Sequence, residues 1–264
     1  MISYVINTHR MDLQIAFPSL ETLTIKHMEN LKIIWHDQLA EDSFFKLQSL
    51  FVQYCENLVN IFESNMLTRF QSLERLEVRY CGSLQEVFEI QRHDVIDTHA
   101  VTVIPLKKLY LRHLPKMKQI WNKDPHGIFS FQNLQIISVW KCESLNILFP
   151  AFVARFLIQL EDLRVVECGL EEIVALEDGA EAAARLVFPK VTLLMLKNLP
   201  KLKWFSRGLR TSEWPLLKVL EVIDCDQTEI ISSKILSIHE TVEQSQLEIF
   251  SSKHPLFLVE EVRV

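Results

Sequence analysis

The 264-residue sequence has no Asn-x-Ser/Thr sequon, no Gly-x-x-x-x-Gly-Lys-Ser/Thr loop, no Cys-x-x-Cys pair and no Gly-x-Ser-x-Gly elbow. Without sequons, a secreted or cell-surface setting is disfavoured and a cytoplasmic one expected. Its five glycines (82, 127, 169, 179 and 208) are scattered, so no backbone cradle for a nucleotide phosphate can be assembled, and no cofactor is expected. The N-terminus, MISYVINTHRMDLQ, lacks the basic-then-apolar order of a signal peptide. The longest apolar run, ILFPAFVARFLIQL (147–160), is too short to span a bilayer and contains Arg155. A net charge of −6 argues against a general nucleic-acid surface. Histidines and cysteines are dispersed and no nucleophile stands beside a base, so the chain is not expected to be an enzyme.

What is present is a repeat. Residues 70–88, FQSLERLEVRYCGSLQEVF, exemplify a pattern that occurs eight times: F-x-x-L-x-x-L-x-V-x-x-C-x-x-L-x-x-I-F. Taking the second apolar residue as anchor gives Leu20, Leu47, Leu73, Leu106, Leu134, Leu160, Val191 and Leu217, spaced by 27, 26, 33, 28, 26, 31 and 26 residues. The cells at −3 (with Val103 in repeat 4), 0, +3, +5 and +8 make forty positions, and all forty are apolar in a chain that is 48% apolar. A period near 20–29 residues carrying L-x-x-L-x-L-x-x-C/N is the leucine-rich-repeat signature. Positions +3 and +5 share one face of an extended segment, and one such strand cannot bury that face alone. Stacked copies can, so the spacing predicts an α/β-type repeat solenoid, a horseshoe with a concave parallel β-sheet and a mostly irregular or short-helical convex side.

All five cysteines fall in the +8 cell, which Met28, Leu114 and Leu199 fill in the other repeats. One cysteine per repeat suits neither a zinc site nor a redox pair; a small core residue at the turn after the strand is expected. Repeats 4 and 7 carry "LRHLPKMKQIW" (111–121) and "LKNLPKLKWF" (196–205) in place of the cysteine phrase, and each follows an insertion. The three-repeat distances, Leu20 to Leu106 and Leu106 to Val191, are 86 and 85 residues, which implies a higher-order triplet. The first insertion (89–103) holds His93, Asp97 and His99, for which a polar loop is expected rather than a metal site; the second (176–187) is acidic and alanine-rich. Both should leave the solenoid opposite the strands. The expected organisation is an N-terminal flank at 1–16, the array at 17–232 and a degenerate segment at 233–264 that leads towards a further repeat, as in a piece of a longer protein.

The repeat pattern, the "CxSLxxIF" ending, the alternating "LPKLKxIW" phrase and "SEWPLLKVLEV" (212–222) resemble the C-terminal leucine-rich repeats of plant coiled-coil, nucleotide-binding disease-resistance proteins. The resemblance runs over about residues 12–264. It implies a protein-interaction and regulatory array that recognises a pathogen effector or guarded host protein, or restrains a nucleotide-binding switch. The alternative is the substrate-binding array of an F-box-type ubiquitin-ligase adaptor, against which the insertions and "LPKLK" phrases count. The default interaction surface of a solenoid is the open face of its sheet, here rows +4, +6 and +7. Repeats 2–5 concentrate aromatic and basic residues there: Phe51, Tyr54, Arg79, Tyr80, Tyr110, Arg112, His113 and Trp140. Such residues are enriched where proteins bind proteins, so these eight are the expected partner-binding set. Arg79 beside Arg112 suggests an acidic partner, or compensation from Glu77.

Overall fold

A computed structural model describes residues 15–35, 40, 42–67, 69–90, 101–122, 129–175, 186–206, 212–226, 228–235 and 254–261. The histidines at 93 and 99, Asp97 and residues 176–185 of the second insertion lie outside that set.

Each repeat contributes one five-residue strand spanning positions +2 to +6. These are β1 (Thr22–Lys26), β2 (Ser49–Gln53), β3 (Arg75–Arg79), β4 (Lys108–Arg112), β5 (Ile136–Trp140), β6 (Asp162–Val166), β7 (Leu193–Lys197) and β8 (Val219–Ile223). They form one parallel eight-stranded sheet in strict chain order. The register is the repeat grid itself: Leu23, Leu50, Leu76, Leu109, Ile137, Leu163, Leu194 and Leu220 lie side by side, one per strand. From β2 to β7 the +3 and +5 side chains are fully buried. Each such burial is worth about 1.5–3 kcal/mol, which a lone strand could not collect.

A second row of short strands closes the coil behind the sheet. Phe62–Glu63 pairs with Phe88–Glu89, and Ile147–Pro150 with Glu172–Ala175, both in parallel. Between them runs a buried column of rings at +15: Trp35, Phe62, Phe88, Trp121 and Phe149, with successive centroids 5.8–6.1 Å apart. The rings at −3 wedge into it edge-on or tilted: Phe44 against Trp35, Phe70 against Phe62, and Phe131 against Phe88 and Trp121. Helix is confined, among the described residues, to Ser64–Leu67 and Ala151–Arg155. Among the described residues, no helix is long and apolar enough to cross a membrane.

Two positions depart from the grid. In repeat 4 the −3 cell is filled by Ile104, not Val103. Thr102–Val103 pairs with Phe129–Ser130, which sets Ile104 opposite Phe131, and Val103 is left exposed while Ile104 is buried. Repeat 6 is one residue short after its cysteine. In six repeats the +11 amide donates to the +8 carbonyl, as Leu84 does to Cys81, but here Gly169 N–H donates back to the Cys142 carbonyl of repeat 5. A Cβ on Gly169 would lie 1.9 Å from the Glu143 carbonyl oxygen, so only glycine permits the approach.

Beyond β8, Thr228–Ile235 pairs in parallel with His254–Glu261, each residue with the one 26 positions later, the short repeat spacing once more. Of the segment expected to be degenerate, 233–264, residues 233–235 and 254–261 lie in these strands, and the rest falls outside the described residues.

Candidate functional site

Alternation turns +3 and +5 inward, so +2, +4 and +6 face out on the open side of the sheet. Row +2 therefore shares this face with rows +4 and +6. Its decisive member is Arg75 on β3, whose guanidinium stands 5.3 Å from the Phe51 ring centroid and 5.0 Å from that of Tyr110. Aromatic rings on the two flanking strands thus hold one cation, an attraction of about 0.5–2 kcal/mol per pair depending on exposure.

Glu77, expected to face solvent, is instead 3% exposed. Arg75 covers it from one side at 2.9 Å and Arg79 from the other at 2.5 Å. Glu77 is therefore the compensating carboxylate for Arg79, and it is shared between two arginines. Arg112 receives no such partner: among the described residues it makes no ion pair, and its buried Nε donates to no acceptor. It stacks over Trp140, 5.7 Å from the ring centroid. The Trp140 indole N–H donates to Glu167 at 3.0 Å, and Lys141 stands 3.5 Å from the same carboxylate. The indole hydrogen bond and the ammonium hold the Glu167 carboxyl below its ordinary range.

Row +7 is not part of the strands. His27, Tyr54, Tyr80, His113, Lys141, Glu167, Asn198 and Asp224 all adopt left-handed backbone, with φ between 51° and 55°. Their amides stay tied: from His27 to Asn198, each N–H donates to the +6 carbonyl of the next strand. The turn aims the following +8 side chain inward, where every cysteine thiol donates to the +6 carbonyl two residues back at 3.3–3.6 Å. All five cysteines are buried and unbridged. In each neighbouring pair one thiol rises and the other falls: burial, with the Cys168 contact, pushes Cys142 up while the Cys142 contact lowers Cys168, and the Cys55 contact raises Cys81 while drawing Cys55 down to about 7; burial raises Cys225. Left-handed backbone costs an ordinary residue about 1–2 kcal/mol. In repeats 1–4 the side chains at these turns stack: His27 on Tyr54, Tyr54 on Tyr80 and Tyr80 on His113, with centroids 4.4–4.8 Å apart and planes within 16°. Burial and the charge of Lys141 lower the pKa of His113, so the neutral ring is favoured at the end of this stack.

The eight expected residues therefore fall into two groups. Phe51, Arg79, Tyr110, Arg112 and Trp140 lie on the face of β2–β5 together with Arg75 and Lys108, whereas Tyr54, Tyr80 and His113 form a ring column along its edge. Arg75 could have been found from the sequence, since it sits two residues before Glu77. The left-handed turn also left a trace, because Asn, Asp and His are the side chains that best tolerate that conformation and they make up half of row +7.

A family model described as plant disease resistance protein RPS2-like, leucine-rich repeats, matches residues 9–169. Searches of curated proteins and of solved structures each returned no match. The matched span covers the first five repeats entire and the strand of the sixth. The chain belongs to the leucine-rich-repeat family of plant disease-resistance proteins.

Proposed function

We propose that this chain is the recognition and regulatory repeat array of an intracellular plant immune receptor. It would work in the cytoplasm, binding a pathogen effector or a guarded host protein, or restraining a nucleotide-binding switch domain whose phosphate loop is not among these residues. The observation that carries this is Arg112, a cation with no carboxylate partner among the described residues, laid on Trp140 in the middle of an open sheet. Arginine and tryptophan in a partly desolvated patch are what binding hot spots are made of. The family membership supplies the context, since repeat arrays of this type serve protein interaction rather than catalysis.

The test is co-expression in leaf tissue of this chain with the switch domain of a receptor of the same family, with cell death and co-precipitation as readouts. The chain should bind the switch or lower its output. A Tyr80→Ala/Arg112→Glu/Trp140→Ala variant that keeps its circular dichroism should lose the effect. A chain that neither binds nor modulates, and captures no effector or host target in challenged tissue, would overturn the proposal.

A further inference from the structure

The open face is divided. On β2–β5, positions +2, +4 and +6 carry Arg75, Arg79, Lys108 and Arg112 against the single carboxylate Glu77, an excess of three positive charges in a chain whose net charge is −6. On β6–β8 the same positions are internally neutral. Arg164 grips Asp162 on its own strand at 2.6 Å, and Lys197 meets Glu221 at 2.5 Å. The remaining places there are aliphatic: Val166, Leu193, Met195, Val219 and Ile223. Val219 and Ile223 are exposed and the other three half-buried. Trp140 stands at the junction on β5, held by Arg112 on one side and Glu167 on the other.

We propose that this face takes one extended segment of a partner protein, laid across the strands, with acidic residues over β3–β4 and apolar residues over β6–β8. The proposal deepens the protein-interaction reading and rests on it. Arg112 keeps donors free for a carboxylate because its ring partner accepts no hydrogen bond, and charge-assisted bonds of that kind are the strong ones. Arg75 and Arg79 share one carboxylate between them and so add to the attraction. The aliphatic half would be costly to hold against a uniformly charged ligand, which disfavours a nucleic-acid strand. Parallel strands lie about 4.8 Å apart, so β3 to β8 spans about 24 Å, and an extended chain covers that in about seven residues. The occupant is thus a short acidic-then-aliphatic segment whose acidic end lies nearest the N-terminal repeats.

The test uses a fluorescein-labelled peptide with a run of glutamates followed by a run of leucines and valines, titrated with the whole chain and read by anisotropy. An all-glutamate peptide and an all-aliphatic peptide are the comparisons. The mixed peptide should bind more tightly than either. Arg112→Glu should weaken it about tenfold or more and flatten its salt dependence, and Arg112→Gln should do so less. Met195→Glu should weaken it while leaving the salt dependence in place. Lys203→Glu, away from this face, should change nothing. The proposal is overturned if the all-glutamate peptide binds as well as the mixed one. It is overturned too if a single-stranded oligonucleotide displaces the peptide at lower concentration than unlabelled peptide does. A concentration-dependent dimer abolished by Arg112→Glu would make a second copy the occupant instead. A chain that ignores every peptide yet still modulates the switch domain refutes the segment and leaves the receptor reading standing.

Discussion

Two columns of stacked rings run the length of the first repeats, one inside the coil and one along the edge of its open face. The inner column, Trp35 to Phe149, has spacings near 6 Å and is locked by wedged rings from the −3 row. The outer column, His27 to His113, is tighter, at 4.4–4.8 Å, and Tyr54 and Tyr80 are exposed. Both arise from one cause: a repeat puts like residues one strand apart, and one strand spacing is close to a ring-stacking distance. The columns differ in what water does to them. Inside, each ring brings the full hydrophobic gain and interlocks with its neighbours. Outside, stacking only offsets the cost of a left-handed turn, and after repeat 4 the column gives way to Lys141, Glu167, Asn198 and Asp224 without interrupting the sheet. The inner column is the condition for the fold, while the outer one is free to vary.

The sharpest way to break that contrast is Phe88→Ala. Phe88 touches Phe62, Trp121 and Phe131, so its loss should cost about 3–5 kcal/mol in urea unfolding. A loss below about 1 kcal/mol would mean the inner column is not what holds the repeats together. Gly169→Ala comes next, because it strikes where the inner row changes register and a side chain meets backbone. It should destabilise by about 1–3 kcal/mol. Gly82→Ala is its control: the nearest atom to the added Cβ is the Glu56 carboxylate, the movable end of a side chain, so the cost should stay within about 0.5 kcal/mol.

Tyr80→Ala tests the outer column. It removes two stacked neighbours at an exposed site and should cost about 1 kcal/mol or less, with binding to a partner affected more than stability. The smallest effect concerns pH. The folded state lowers the pKa of His113 below 6.5, so between the two values the unfolded chain binds more protons and stability falls as the pH drops through that range. Unfolding midpoints measured from pH 7.5 to 5 should show a shallow decline that His113→Phe reduces. An increase in stability on acidification, abolished by the same substitution, would reverse the assigned sign.

Legibility followed from periodicity. The eight strands of the open sheet, their order, their register and the buried cysteines are readable, because each depends on a residue recurring at a fixed offset, and eight copies make the offset plain; the short strands behind the sheet are not, since an irregular or short-helical back was expected there. Val103 and Ile104 show where that fails. Both are apolar, and only pairing with Phe129–Ser130 decides which one turns inward. The organisation of the open face was half legible. Alternation names the outward positions, but nothing in the order of residues says that Glu77 lies beneath two arginines while Arg112, one strand along, has none. That depends on side-chain reach between strands 33 residues apart in the chain.

By itself, then, the sequence determined that this chain stacks repeats into a parallel sheet, since apolar cells spaced in this way can cover one another only when the copies lie side by side. It determined also that the thiols serve packing, since each sits in a core cell. Only the tertiary structure decided that row +7 bends out of the strand into left-handed turns, and that Glu77 is shared by two arginines while Arg112 makes no ion pair among the described residues. Those outcomes are set by which strand lies beside which and by how far each side chain reaches across the 4.8 Å or so between them, and a distance between strands is not written in any one repeat.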